Sequence, residues 1–189
     1  MVENGDNRYH AILGNTGPAR FVNPSSLAPA LIALGAEVKV SGPSGSRSLS
    51  LADFFRTPQS EGEKEYVLGE NELLMEVRIP LQESSNATYE VRQRQALDWP
   101  LAAASVSLNM DGATVRSASV VLGHVAPVPW VATAAAEVLR GRTLSAELAR
   151  RAGEAATRGA RALSRNGYKI QLARVAATRA ILRASETES

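Results

Sequence analysis

The sequence predicts an α+β fold, and three observations carry that prediction. Two β-leaning runs, Ala104–Met110 and Thr114–His124, flank the turn signal Asp111-Gly112. Upstream, shorter runs alternate polar and apolar residues as half-buried strands do, and downstream the last third is rich in alanine at helical spacing. Before the hairpin, Thr88–Arg94 sets Val91 against Arg92 and Arg94 and reads as a third strand. After it, Gly123-His124-Val125-Ala126-Pro127-Val128-Pro129-Trp130 leaves through two prolines that cannot donate to a ladder. The block from Tyr89 to Trp130 is therefore expected to be the sheet on which the rest packs.

Taken in order, Asn7–Gly14 shows no clear period, and Ala19–Val22 is expected to be a short strand. Asn23-Pro24-Ser25-Ser26 offers a turn and a serine N-cap for a helix over Leu27–Leu34, with Leu27, Ala30, Leu31 and Leu34 on one face and Gly35 as the stop. Glu37–Val40 and Arg47–Leu51 alternate as strands around Ser41-Gly42-Pro43-Ser44-Gly45-Ser46. That turn lacks the Gly-Lys-Ser/Thr ending of a phosphate loop and is followed by a strand, so a hairpin is expected. Leu51–Phe55 reads as a helical turn whose aromatic pair fills a core, and Gln59–Glu65 as a loop. In Glu72–Pro80, Leu73, Met75, Val77 and Ile79 share one strand face, with Leu74, Glu76 and Arg78 on the other. The polar connector Leu81–Ala87 suggests two units, residues 1–82 and 83–189.

Beyond the exit, Val131–Leu139, Leu144–Leu163 and Ile170–Ala184 are expected helices. Thr143 or Ser145 can cap the second, along which Arg150, Glu154, Arg158, Arg161 and Arg165 recur at 3–4 spacing, and Asn166-Gly167 breaks it. Ser185–Ser189 is a polar tail, expected to fray.

Charge is unevenly placed although the net is only +2: residues 1–139 hold 10 basic and 15 acidic side chains, and Arg140–Arg183 hold 11 basic and two acidic ones. The ordinary meaning is the solvated face of amphipathic helices, and next a docking face for an acidic partner. Nucleic acid is a distant third, because aromatic residues do not interleave the basic run. The chain contains no cysteine, which excludes a thiol nucleophile and thiolate-held zinc or iron-sulfur centres within it. No apolar run reaches the roughly 20 residues of a membrane span, and Met1–Asp6 lacks signal-peptide character, so a cytoplasmic setting is expected. Without a secretion signal, the sequon Asn86-Ala87-Thr88 carries no weight.

The acid–base inventory is thin. His10 and His124 are the only histidines and belong to no ligand pattern, so each is expected to serve a hydrogen-bonding, structural role. No Gly-x-Ser-x-Gly elbow is present, and Asp98 in Leu97-Asp98-Trp99-Pro100 reads as a turn cap. No catalytic residue and no metal ligand is assigned.

Five blocks, in order, resemble the FAD-binding medium subunit of the molybdenum hydroxylases: NRYHAILG from Asn7, NPSSLAPALIALGAEVKVSGPSGSRSLSLADFF from Asn23, ENELLMEVRIP from Glu70, YEVRQRQALDWPLAAASV from Tyr89 and VVLGHVAPVPW from Val120. That group includes xanthine dehydrogenase, carbon monoxide dehydrogenase and, most similar, the bacterial aldehyde oxidoreductases. The resemblance implies that residues 1–82 are the closing half of a vanillyl-oxidase-type FAD-binding domain. The rest is then the subunit's C-terminal domain, a three-stranded antiparallel sheet with helices. It also implies a flavin that receives electrons from an iron-sulfur small subunit, fed by a molybdopterin large subunit, and passes them to an acceptor.

Site residues follow by match to the family's pattern. Pro24-Ser25-Ser26 matches a Pro-Ser-Asp turn that lies against the flavin cofactor, with Ser26 in place of the acid. Leu73 and Leu74 match apolar residues that cover the ring, and Glu90 stands where a lysine near the flavin is common, with Arg92 the nearest cation. The glycine-rich loops that wrap the pyrophosphate, and the cysteine-held iron-sulfur insertion of the aldehyde branch, precede the Asn-Arg-Tyr-His block with which this chain opens. The chain alone is thus expected to bind FAD weakly or not at all and to be inactive outside its complex. The alternative is a non-catalytic docking module that uses the basic C-terminal helices.

Overall fold

The computed structural model describes residues 2–94 and 98–186. Two antiparallel sheets fall on either side of residue 82. In the first, β1 (Glu37–Gly42) lies between β2 (Gly45–Ser50) and β3 (Leu73–Arg78). The β1–β2 connection is the expected hairpin, closing tightly at Gly42 opposite Gly45, where the backbone turns with φ +107°. The second sheet runs β4 (Ser85–Val91), β5 (Ala102–Asp111), β6 (Thr114–Gly123) and β7 (Trp130–Val131). Its three long strands are the predicted ones, and the proline exit loops back to add the short edge strand β7. The β5–β6 turn sits one residue beyond its sequence signal: Asp111 pairs with Thr114, and Gly112 takes φ +53°.

Among the described residues five helices cover these sheets: α1 (Leu27–Ala33), α2 (Leu51–Phe54), α3 (Thr133–Leu139), α4 (Ala146–Ala156) and α5 (Tyr168–Glu186). The main core lies between the second sheet and α3–α5, where Val106, Leu108, Val120 and Leu122 meet Leu139, Leu148, Ala176 and Ile181. The opposite face of β6 sends Val121 into a smaller core of Ile32, Val38, Val40, Leu51 and Phe54. Gly123 allows the close approach of α1 there, because a Cβ would lie 3.0 Å from the Pro29 ring and push it back by a few tenths of an ångström.

Several local expectations are corrected. Residues 19–22 form no strand; Ala11 N–H donates to Arg20 O and Asn23 N–H to Ala126 O, so this stretch is strapped across the fold as irregular backbone. Helix α1 buries Ala28, Pro29, Ile32 and Ala33, and Leu27 is exposed, because the packing surface of β6 lies on that side. Helix α4 stops at Ala156. Thr157 Oγ1 folds back onto Glu154 O and Gly159 turns with φ +81°, so Arg158, Arg161 and Arg165 do not continue the Arg150–Glu154 stripe. Ser185 and Glu186 belong to α5, while 187–189, like Leu97 of the predicted turn, lie outside the described residues.

Residues 7–15 pack into the C-terminal body. Ile12 and Leu13 donate to Val125 O, and both side chains join the main core. Three buried asparagines fasten the segment. Asn7 Oδ1 accepts from Arg165 N–H; Asn15 Nδ2 donates to Arg161 O; Asn166 Nδ2 donates to His10 O and Ala11 O. Each satisfies backbone groups that irregular buried chain would otherwise leave unpaired.

Candidate functional site

The polar groups of the fold converge on His124, one residue past the end of β6. It is 2% exposed, and its φ of +61° makes it the one non-glycine residue in the left-handed region among the described residues. That conformation is costly for most side chains and persists only where the surroundings hold it. Three contacts do so. Lys169 Nζ donates to His124 O at 2.7 Å, Trp99 Nε1 donates to Nδ1 at 3.0 Å, and Nε2 lies 3.2 Å from Ser26 Oγ. An indole N–H can only donate, so Nδ1 is the acceptor. The neutral ring therefore carries its proton on Nε2 and donates it to Ser26.

Burial is the largest influence on the ring and pulls its pKa down to about 4; Glu90 opposes the fall, and Lys169 and Arg92 add to it. With the folded value below the ordinary one of about 6.5, the unfolded chain binds the extra proton first. The associated stability is complete above pH 6.5 and is lost as pH falls toward 4, by about 3 kcal/mol. Thermal melts from pH 7 to 4 should show this slope in the wild type, and His124→Asn should flatten it.

Lys169 is the second unexpected centre. It is 1% exposed, and its ammonium donates to Tyr9 O, His10 O and His124 O at 2.9, 3.2 and 2.7 Å. Burial pushes its pKa down to about 8, so it stays mainly protonated at neutral pH. His10 joins this arrangement through its backbone carbonyl oxygen, and Asp98 caps its turn by accepting from Arg94 N–H and Trp99 N–H, as the sequence implied for the aspartate. Beside them opens a cleft of about 380 Å³ lined by Tyr9, Val22, Gln93, Asp98, Trp99, Pro100, Leu101, His124 and Lys169. Most of that lining is apolar, and Trp99 and Tyr9 are more than half exposed.

Of the residues matched from sequence, Ser26 contacts His124, and the charges of Glu90 and Arg92 are near enough to act on its ring. Ser26 makes no helix cap; Ser25 Oγ accepts from Ala28 N–H in its place. Glu90 and Arg92 form an ion pair at the end of β4. Leu73 and Leu74 stand apart, opposite Ser41 and Val40 on the outer strand of the first sheet. The expected inside–outside alternation of β3 is absent, because β3 is an edge strand exposed along its whole length, with Leu73 68% and Met75 62% exposed. Arg47 and the Gly69 N–H hold Glu72, at the start of that strand, down to a pKa of about 2.

Part of the expected cationic face is also taken up internally. Lys169 is buried, Arg150 binds Glu147 and Glu154, Arg174 donates to Thr157 Oγ1, and Arg179 and Arg183 lie over the Tyr89 ring. Among the described residues no cluster of metal-ligating side chains occurs, and no helix is long and apolar enough to cross a membrane.

Known proteins resemble this chain over nearly its whole length. Residues 11–82 match the FAD binding domain in molybdopterin dehydrogenase, and residues 87–184 match the CO dehydrogenase flavoprotein C-terminal domain. The chain is 34% identical over 139 residues to the carbon monoxide dehydrogenase medium chain of Afipia carboxidovorans, covering 72% of this chain and 46% of that one. It is 33% identical over 128 residues to the aldehyde oxidoreductase FAD-binding subunit PaoB of Escherichia coli, covering 67% of this chain and 39% of that one. Among solved structures, the reconstituted CO dehydrogenase from Oligotropha carboxidovorans superposes with a TM-score of 0.75 at 28% identity, over 85% of this chain and 56% of that one. The chain thus spans less than half the length of the two curated relatives. With two consecutive family matches and a shared fold, it belongs to the FAD-binding medium-subunit family of the molybdenum hydroxylases.

Proposed function

We propose that this chain is the FAD-handling, electron-transfer part of a molybdopterin-dependent oxidoreductase of the xanthine or aldehyde dehydrogenase type. The observation that carries the proposal is the ordered pair of family matches over residues 11–82 and 87–184. In such a complex an iron-sulfur small subunit and a molybdopterin large subunit are the partners, in the cytoplasm. When bound, the flavin supplies the ability to accept electrons singly and release them as a pair.

The residues present fit the ring and ribityl part of that cofactor. The cleft beside Trp99 and Tyr9 is apolar with a few polar groups at its edge, as sites for planar ligands are. Ser25 and Ser26 provide hydroxyls and Glu90 and Arg92 a charged pair, while Leu73 and Leu74, apart from that cleft on the first sheet, offer an exposed apolar surface of the kind that covers a flavin ring. Among the described residues the pyrophosphate part has no counterpart: the Gly42–Gly45 turn joins two strands and offers no loop leading into a helix. The 189-residue chain by itself therefore binds FAD weakly or not at all and is inactive alone.

Purification of the chain alone, and of the chain joined to a glycine-rich upstream lobe, followed by visible absorbance, tests both statements. Expected are substoichiometric flavin in the first and one flavin per chain in the second. A stoichiometric yellow protein from the chain alone would overturn the weak-binding statement, and no flavin in either would overturn the functional reading. The alternative, a docking module built on basic helices, has less support, because Lys169, Arg150, Arg174, Arg179 and Arg183 serve the fold itself.

A further inference from the structure

We propose that His124, held by Trp99 and Lys169, is a positioning residue that makes the Ser26 hydroxyl an outward hydrogen-bond donor to an oxygen acceptor of the bound flavin cofactor, a ribityl or phosphoryl oxygen. The inference deepens the flavin reading and rests on it for the identity of the ligand. Its geometry rests on this chain alone.

Trp99 Nε1–H occupies Nδ1 of His124 at 3.0 Å, which leaves the ring proton on Nε2, 3.2 Å from Ser26 Oγ. Ser26 Oγ thus accepts on its inner side. Its single proton cannot point back at a donor, so it faces away from the imidazole. Ser26 is exposed, so an acceptor outside the fold can reach its hydroxyl. The family's acid at this position can only accept, so the serine–histidine pair reverses the polarity of the contact. The device is rigid at each link. Lys169 pins the His124 carbonyl at 2.7 Å, the ring is buried, and the indole meets it edge-on with centroids 6.2 Å apart. Holding one non-glycine residue at φ +61° to achieve this is the kind of local cost that a functional contact explains. The charged groups facing the ring are Glu90 and Arg92 near β4 and Lys169 from α5, and Glu90 and Arg92 are already paired with each other.

Long-range ¹H–¹⁵N spectra of the ¹⁵N-histidine-labelled chain read the relay directly, with His10 as the second histidine for reference. Expected at neutral pH is a His124 signal with protonated Nε2 and bare Nδ1. Trp99→Phe removes a donor that favours the neutral ring, and should raise its titration midpoint by about one unit. FAD titrations followed by flavin fluorescence give the second readout. Ser26→Ala and His124→Asn should each weaken binding about fivefold, the double variant should lose no more than either single one, and Ser26→Thr should retain affinity. Asparagine tolerates the left-handed backbone, so His124→Asn keeps the fold testable. A proton on Nδ1, or additive losses in the double variant, would overturn the proposal. If the wild-type chain binds FAD and Ser26→Ala leaves affinity unchanged, the ligand contact is wrong. If the wild type binds no FAD at all either alone or joined to the upstream lobe, the ligand assignment falls with the flavin reading, and the tautomer and its titration still judge the relay.

Discussion

Lys169→Met should lower the stability of this fold by about 3 kcal/mol, a fall in melting temperature of about 6–12 °C for a chain of this length. Methionine retains the unbranched stem and removes only the ammonium. What remains is the backbone oxygens of Tyr9, His10 and His124, facing a thioether that cannot donate. A charge-assisted hydrogen bond contributes about 1.5–3 kcal/mol, and a buried acceptor left unpaired costs about 1–3 kcal/mol. Desolvating the ammonium offsets part of that gain, and the fall of its pKa to about 8 reflects the offset. The wild-type ammonium also joins the segment at Tyr9–His10 to the end of β6. The variant should therefore loosen residues 7–15 together with His124, seen as faster amide exchange at Ile12 and Leu13, whose N–H groups both donate to Val125 O. Arg150→Met is the comparison. Its partners Glu147 and Glu154 are solvent-exposed, and its loss should leave stability close to that of the wild type.

Lys169 also shows where sequence reading reaches its limit. In the sequence it is one of eleven basic residues in a run, and nothing local separates it from the arginines around it. Its role depends on carbonyls about 160 and 45 residues away along the chain, which no period or spacing records. The same holds for His124. Its structural role was legible, but its partners Ser26 and Trp99 come together only when α1 and the segment after β4 meet the end of β6. Local signals fared better. The Asp111-Gly112 turn, the Ser41–Ser46 hairpin and the Ser145 cap were all readable, because turn and cap chemistry is written in adjacent residues. The end of α4 was missed because alanine and arginine both favour helix. The chain leaves it at Thr157 so that Arg161 N–H can reach Ile12 O. The family resemblance supplied Ser26, which contacts the His124 ring, Glu90 and Arg92, whose charges act on it, and Leu73 and Leu74, which lie on the other sheet.

Gly153→Ala should destabilise the protein by about 2 kcal/mol, although helix propensity alone argues the reverse. Gly153 lies in the middle of α4, where alanine would be preferred by about 1 kcal/mol in an isolated helix. Tertiary contact decides against it. A Cβ at this position would lie 2.3 Å from Thr178 Oγ1 and 2.7 Å from Arg174 O, both on α5. The threonine hydroxyl can rotate away, at the expense of its bond to Arg174 O. The Arg174 carbonyl is helix backbone and cannot, so α4 and α5 must move apart. That interface is built from small side chains, Ala149, Ala152 and Ala156 among them on α4 and Ala173, Ala176, Ala177 and Ala180 on α5, all buried. Small residues leave little side chain to refill a widened gap, and contacts are lost along both helices. Overpacking of a tight core costs about 1–3 kcal/mol, to which the lost helix contacts add, and the propensity gain cancels only part. Urea denaturation of Gly153→Ala, and of the same change combined with Thr178→Ala, separates the two contacts. The second substitution should recover only a fraction of the loss, since the nearest backbone oxygen is still in place. A Gly153→Ala protein as stable as the wild type would mean that α4 and α5 approach less closely than Gly153 requires.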